Sequence, residues 1–421
     1  MRPLFCIALL FGLLSQPTLP TRAQPNTATT PLPADLMGMV IRDPWYDFGT
    51  QPDQPHQPNY AAQERMGQVL SDMGVRWVRF EFRIEGTAEL STTQIARNDY
   101  FINEVAPRHG LKVLGMLGFG LVADQPPQAL NYTDTLTIDP LYGGGVNDYM
   151  RSWLDRARMI AARYEGRVAA YEILNEQNRL PPSGDSINPL VAGRLQTKFY
   201  RFFHQTDRAL ADQQWRDGVK IIVGGLHPAG TGEPGRAGYL SDRDYLRALY
   251  QSDGFTSYRQ IYGSYPLDGL GYHPYPEEIR VQLADSLDLI DQRMLEMREV
   301  LSEVGDPLRL FWVTEIGYNA AYRRQTAVGQ GDFMRQVFQR LAVRGDVAAI
   351  FWFKYEDFPP ASGPNAQRWG VVRIPFSTGA CPGGACYELT GEPAEYRYAY
   401  WVYRELAGRP FYKTFLPLQL K

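Results

Sequence analysis

Residues 168–178 read Val-Ala-Ala-Tyr-Glu-Ile-Leu-Asn-Glu-Gln-Asn. Val168–Leu174 is an apolar run of strand length, and it ends on Asn175-Glu176. Alternate side chains of an extended chain share a face, so Glu172 lies on the same side as Glu176, lower down. An amphipathic stretch, Asn147–Tyr164, stands just before the run. The unit formed here, a helical pattern followed by a buried strand, is repeated along the chain.

Working outward, the strand candidates are Leu36–Ile41, Val75–Phe82, Leu111–Gly118, Val168–Leu174, Lys220–Gly225, Leu267–His273, Leu308–Thr314 and Ala348–Phe353. A helix-like stretch over Tyr60–Met73 stops at Gly74, another stops at Gly110, and the last lies near Glu395–Leu406. Near-continuous apolar strands alternating with helices imply a parallel sheet covered by helices. Eight such units predict an α/β fold of the closed (β/α)8 TIM barrel type, with a doubly wound open sheet as the rival. No linker or composition break divides the chain after residue 36, so residues 36–421 read as one barrel with long loops after the strands. In a barrel those loops share the C-terminal face, where active sites are built.

The N-terminus reads differently. Arg2, the apolar run Leu4–Leu14 and Thr21-Arg22-Ala23 have the form of a secretory signal peptide over residues 1–23, with an uncleaved anchor as the other reading. Residues 24–35, rich in Pro, Thr and Ala, read as a disordered lead-in. No later run is long enough to span a membrane, so a secreted protein, extracellular or periplasmic, is expected. Cys381 and Cys386 enclose Pro-Gly-Gly-Ala, a spacing that suits a local disulfide after export.

The chain carries 43 Lys+Arg against 46 Asp+Glu, a formal charge of -3. That balance argues against nucleic acid, whose phosphates need a clustered positive field. The sequence has no His-Glu-x-x-His, His-x-His or Gly-x-Ser-x-Gly pattern, which disfavours a metal-dependent hydrolase and a serine esterase. Gly230–Gly235 fits G-x-G-x-x-G but contains Pro234 and opens no helix, so no dinucleotide cofactor is expected.

Two carboxylates stand at strand ends. Glu176 follows the fourth apolar run and Glu315 the seventh, in Leu-Phe-Trp-Val-Thr-Glu-Ile-Gly. On different sides of an eight-stranded ring they can face each other across the mouth. A pair about 5–5.5 Å apart suits retaining glycoside hydrolysis and one about 6.5–9.5 Å apart the inverting kind. The alternative is that each Glu caps a strand or pairs with an arginine.

The Asn175-Glu176 and Thr314-Glu315-Ile316-Gly317 motifs together resemble clan A glycoside hydrolases, the group that includes families 5 and 39. The resemblance covers most of the chain through the strand rhythm. It implies Glu176 as general acid/base and Glu315 as nucleophile, with no metal or other cofactor. It implies that Asn175 binds the sugar 2-hydroxyl and that Arg79, in Val-Arg-Phe-Glu-Phe, holds the nucleophile ionised. His273 and Tyr275, in Gly-Tyr-His-Pro-Tyr, would position the nucleophile and touch the sugar, and Trp352 would floor the central subsite. Gln177 stands where many relatives have Pro, a departure that bears on the family assignment. Glu172 reads as a supporting or paired acid, and Trp45, Tyr46, Asp47 and Trp369 as loop residues able to line subsites. The expectation is a secreted glycosidase acting on a β-linked carbohydrate, with a transglycosylase or a glycan-binding barrel as alternatives.

Overall fold

The computed structural model describes residues 30–41, 44, 50–51, 54–82, 96–122, 127–179, 186–204, 218–228, 241–276, 283–321, 325–358, 367–376 and 390–409. The expected signal peptide, Trp45–Asp47, Gly230–Gly235 and the Cys381/Cys386 pair lie outside the described residues.

Eight parallel strands close into a barrel: β1 (Met37–Val40), β2 (Trp77–Glu81), β3 (Lys112–Leu117), β4 (Val168–Ile173), β5 (Lys220–Leu226), β6 (Gly269–Tyr272), β7 (Phe311–Gly317) and β8 (Val347–Phe353). Each pairs with its sequence neighbour, and β1 closes the ring on β8 through Gly38 and Phe351. This is the (β/α)8 barrel that the alternation predicts, and the open-sheet rival is excluded.

The helices follow the punctuation of the sequence. In α1 (Tyr60–Met73) the Asn59 side chain accepts from the Ala62 N–H at the first turn, and Gly74 ends the helix at φ 84°. Asn147 caps α2 (Asp148–Arg163) in the same way through the Met150 N–H. A side-chain acceptor satisfies an N–H that the helix start leaves unpaired, and glycine takes the left-handed conformation at the stop without a Cβ clash. The other long helices are α3 (Pro189–His204), α4 (Asp242–Tyr250), α5 (Asp253–Tyr262), α6 (Leu283–Glu303), α7 (Ala327–Ala342) and α8 (Tyr398–Leu406). No helix among the described residues is long and apolar enough to cross a membrane.

Two boundaries differ from expectation. Residues 34 and 35, the end of the expected lead-in, form a 3-10 turn with Leu36, and the Leu32 N–H donates to Leu406 O at the end of α8. The ordered chain therefore reaches further toward the N-terminus than its composition suggests. In the seventh unit, Leu308 is 88% exposed and the strand runs from Phe311 to Gly317, so Glu315 lies within β7 rather than beyond it.

The core has two layers of contact. Outward-facing strand residues such as Met39, Ile173, Val313 and Trp352 pack against the helices. Inward-facing Val40, Trp77, Leu114, Ala170, Ile222, Trp312, Ala349 and Phe351 form a second, separate cluster that fills the lower lumen. Trp77 and Trp312 meet there edge to face, with ring centroids 5.3 Å apart. Burying each large side chain contributes about 1.5–3 kcal/mol. Above this apolar plug the lumen changes character. Three of the same strands carry Arg79, Glu172 and Thr314 there, and His273 follows β6, all buried.

Candidate active site

Arg79 stands two residues after Trp77 on β2 and so points into the same lumen, where it is 3% exposed. It donates from Nε to Glu172, from Nη1 to Glu315 Oε1 at 2.7 Å, and from Nη2 to Asn175 Oδ1 at 2.8 Å. One guanidinium thus ties β2 to β4, to the turn after β4, and to β7. Its geometry, a planar fork of donors, suits this better than a lysine would.

Glu315 reaches the lumen through an irregularity in β7. Val313 pairs with Ile350 and Ile316 with Trp352, so β7 spends one more residue than β8 over the same span. Strict alternation would send Thr314 and Glu315 to opposite faces. The extra residue lets both point inward, as bulges do beside functional sites. Glu315 accepts from Arg79 on one oxygen and from the Tyr275 hydroxyl, 3.2 Å away, on the other. Burial and the adjacent Glu315 carboxylate push the Tyr275 phenol well above its ordinary range, so it stays a donor.

Glu176 lies past the end of β4 on a strained turn. Leu174 has φ 69° and Glu176 φ 44°, left-handed values that cost a non-glycine residue of order 1–3 kcal/mol each. The turn is fixed by the Glu176 N–H, which donates to Gly225 O at 2.9 Å. The carboxylate meets His273 Nδ1 at 3.0 Å through Oε1 and Arg179 Nη1 at 2.7 Å through Oε2. Burial raises the Glu176 pKa, but the His273 hydrogen bond and charge, with His227 and Arg179, outweigh it and hold the group at about 2. Burial pushes His273 down, while the Glu315 and Glu176 carboxylates push it up more, so it ends above its ordinary value. Each partner of this contact is thus shifted toward its charged form.

Gly225 makes room for that imidazole. A Cβ at this position would sit 2.1 Å from His273 Nε2. Beneath it, Glu172 is fully buried and accepts from Arg79, from the Gly225 N–H and from the Thr314 hydroxyl.

The structure therefore brings together Arg79, Asn175, Glu176, His273, Tyr275 and Glu315, with Glu172 below them. One oxygen of Glu176, one ring nitrogen of His273 and one oxygen of Glu315 lie within 4.8 Å of one another. That spacing would also admit a cation, but the two carboxylates already face the guanidinium groups of Arg179 and Arg79.

Trp352 is not part of this site. It is fully buried and faces the helix layer, where its ring lies 6.2 Å from Phe333 and 6.4 Å from Phe338 of α7. The side facing the lumen at this end of β8 belongs to Phe351 and Phe353. Phe353 meets Trp369 edge on at 5.5 Å, and Trp369 meets Tyr275 at 6.0 Å. An aromatic wall does border the acids, built from Phe353, Trp369 and Tyr275.

Thr314, Arg179 and His227 are the residues that sequence reasoning passed over. His227 follows β5, and its ring lies along that of Tyr275 at 6.3 Å and 26°. Burial holds it down to about 4 despite the nearby Glu176 carboxylate. Its signal was positional: like Glu176, it stands just beyond the end of a barrel strand.

No protein-family model and no curated protein matches the chain. Solved structures do share its fold. A family 39 glycoside hydrolase from the gut symbiont Bacteroides cellulosilyticus WH2 superposes with a TM-score of 0.52 at 14% identity, covering 89% of this chain and 64% of that one. A GH5_18 protein from Bifidobacterium longum subsp. longum ATCC 55813 gives 0.55 at 13% identity, covering 89% and 79%. A β-glucosidase from Exiguobacterium marinum gives 0.53 at 12% identity, covering 90% and 99%. This chain thus spans just under two thirds of the family 39 protein's length. At such identities the likeness is one of fold, the eight-stranded parallel barrel that this chain shares with these solved structures.

Proposed function

We propose that this protein is a secreted glycosidase that cleaves a β-linked poly- or oligosaccharide with retention of configuration. The observation that carries the reading is the approach of Glu176 and Glu315 across the barrel mouth, with oxygens within 4.8 Å, while only Glu315 is held by Arg79. That spacing favours the shorter of the two glycosidase geometries, about 5–5.5 Å between carboxyl groups.

The roles follow from the partners. Glu315, held between the Arg79 cation and the Tyr275 hydroxyl, is the nucleophile and attacks the anomeric carbon. Glu176 protonates the departing glycosidic oxygen, then takes a proton from the water that hydrolyses the glycosyl-enzyme. Asn175 has its Oδ1 committed to Arg79, which leaves its amide N–H groups to donate to the sugar 2-hydroxyl. Phe353, Trp369 and Tyr275 offer aromatic faces to the sugar ring.

A general acid held at about 2 is ionised in the resting site. Among its partners, fully buried His273 does most to lower it, and Arg179, whose side chain is one-third exposed, the least.

The test is hydrolysis of a panel of β-linked glycans by wild type, Glu176→Ala and Glu315→Ala, with the product anomer followed by NMR. Turnover with retained configuration that Glu315→Ala abolishes is expected. Equal activity in all three proteins, or an inverted product, overturns the reading.

A further inference from the structure

Four side chains form an unbroken line under the two acids. Glu172 Oε1 accepts from Thr314 Oγ1 at 2.9 Å, Thr314 Oγ1 lies 3.0 Å from His273 Nε2, and His273 Nδ1 lies 3.0 Å from Glu176 Oε1. Every one of these atoms belongs to a buried residue. A threonine hydroxyl has a single proton, and here it goes to Glu172. Thr314 can therefore only accept from His273, so the hydrogen-bond network assigns a proton to Nε2.

We propose, building on the glycosidase reading, that Thr314 is a positioning residue: by donating to Glu172 and accepting from His273 Nε2, it confines the one exchangeable proton of the acid pair to the line between His273 Nδ1 and Glu176 Oε1. The reason lies in what happens when that proton is lost. With Nε2 protonated, the bare Nδ1 faces the Glu176 carboxylate. With Nδ1 protonated instead, the bare Nε2 faces a Thr314 oxygen whose proton points away. Each neutral tautomer sets lone pair against lone pair. The pair therefore keeps its proton to higher pH than an imidazole and a carboxylate alone would.

Other charges face the imidazole from each neighbouring element. Glu315 on β7 lies 3.9 Å from Nδ1. Arg79 on β2, Arg179 after β4 and His227 after β5 oppose protonation through their own charge or through Glu176. None of them touches Nε2, and that end of the ring is governed by Thr314.

The decisive variant is Thr314→Val, which keeps the shape and removes the hydroxyl. The neutral Nδ1–H tautomer then becomes comfortable, and the imidazolium has a buried N–H without an acceptor. The alkaline limb of the kcat/KM profile is expected to fall by about one pH unit, through kcat rather than KM. Thr314→Ser restores it. In 15N spectra of the histidine side chains across pH, wild-type His273 is expected to stay protonated on both nitrogens to higher pH than in Thr314→Val, where the Nδ1-protonated neutral form replaces it. A folded Thr314→Val protein with an unchanged limb and an unchanged 15N pattern overturns the proposal, as does a folded Thr314→Ser that behaves like the valine variant. The 15N experiment needs no substrate. If no glycan is cleaved but the tautomer shifts as described, the proton network stands and the glycosidase reading falls.

Discussion

Arg79 Nη1 stands 2.7 Å from Glu315 Oε1 while its Nε is committed to Glu172, so one buried cation serves two carboxylates that differ in exposure and purpose. Replacing it strands both. Arg79→Met is expected to destabilise the protein by about 3–5 kcal/mol, the usual cost of leaving a buried charge unpaired. Urea unfolding measures that loss. Arg79→Lys keeps the charge but not the fork, and is expected to lose kcat/KM while recovering much of the stability. An Arg79→Met protein as stable and active as wild type would contradict the assignment.

Arg179 acts on the opposite acid. Removing a guanidinium 2.7 Å from Glu176 Oε2 lets that carboxylate rise from about 2. Arg179→Gln should therefore move the alkaline limb of kcat/KM upward, the reverse of Thr314→Val. Measuring the two profiles side by side tests the direction of each effect without knowing its size.

The aromatic residues divide into two kinds. Trp352 is expected to matter for stability: Trp352→Ala should cost about 3–5 kcal/mol through the cavity left against α7, and Trp352→Phe should leave KM unchanged. Trp369→Ala and Phe353→Ala should raise KM with smaller changes in melting temperature. A Trp352→Phe variant with a raised KM would return that ring to the substrate.

Stability should pass through a maximum near the ordinary histidine pKa of about 6.5. His273 is raised in the folded state, so its contribution is full below 6.5 and is lost as pH rises through its folded value. His227 is lowered to about 4, so its contribution is full above 6.5 and is lost as pH falls from there through 4. His227→Gln should flatten the acid side alone, and His273→Gln the alkaline side. Chemical denaturation across pH 4–9 separates them.

The eight strands were legible because their apolar runs and the glycines after the helices are local signals, and Gly74 and Asn147 mark real helix ends. Glu176, Glu315, Arg79, Asn175, His273 and Tyr275 meet because all lie at the same end of their strands. What escaped was the direction of side chains near strand ends. In Phe351-Trp352-Phe353 the aromatic pattern is the same on both faces, and the register in the barrel alone decides which ring meets the helices. Thr314 was hidden by the opposite fault. Alternation assigns it to the face away from Glu315, and the extra residue in β7 cancels that rule.

The apolar plug of Trp77, Trp312, Phe351 and their neighbours seals the barrel below the charged layer. Among the described residues, the acids are then closed off from the N-terminal end of the barrel. On the glycosidase reading proposed above, sugar and water both come to Glu315 from the other end, where the strands stop.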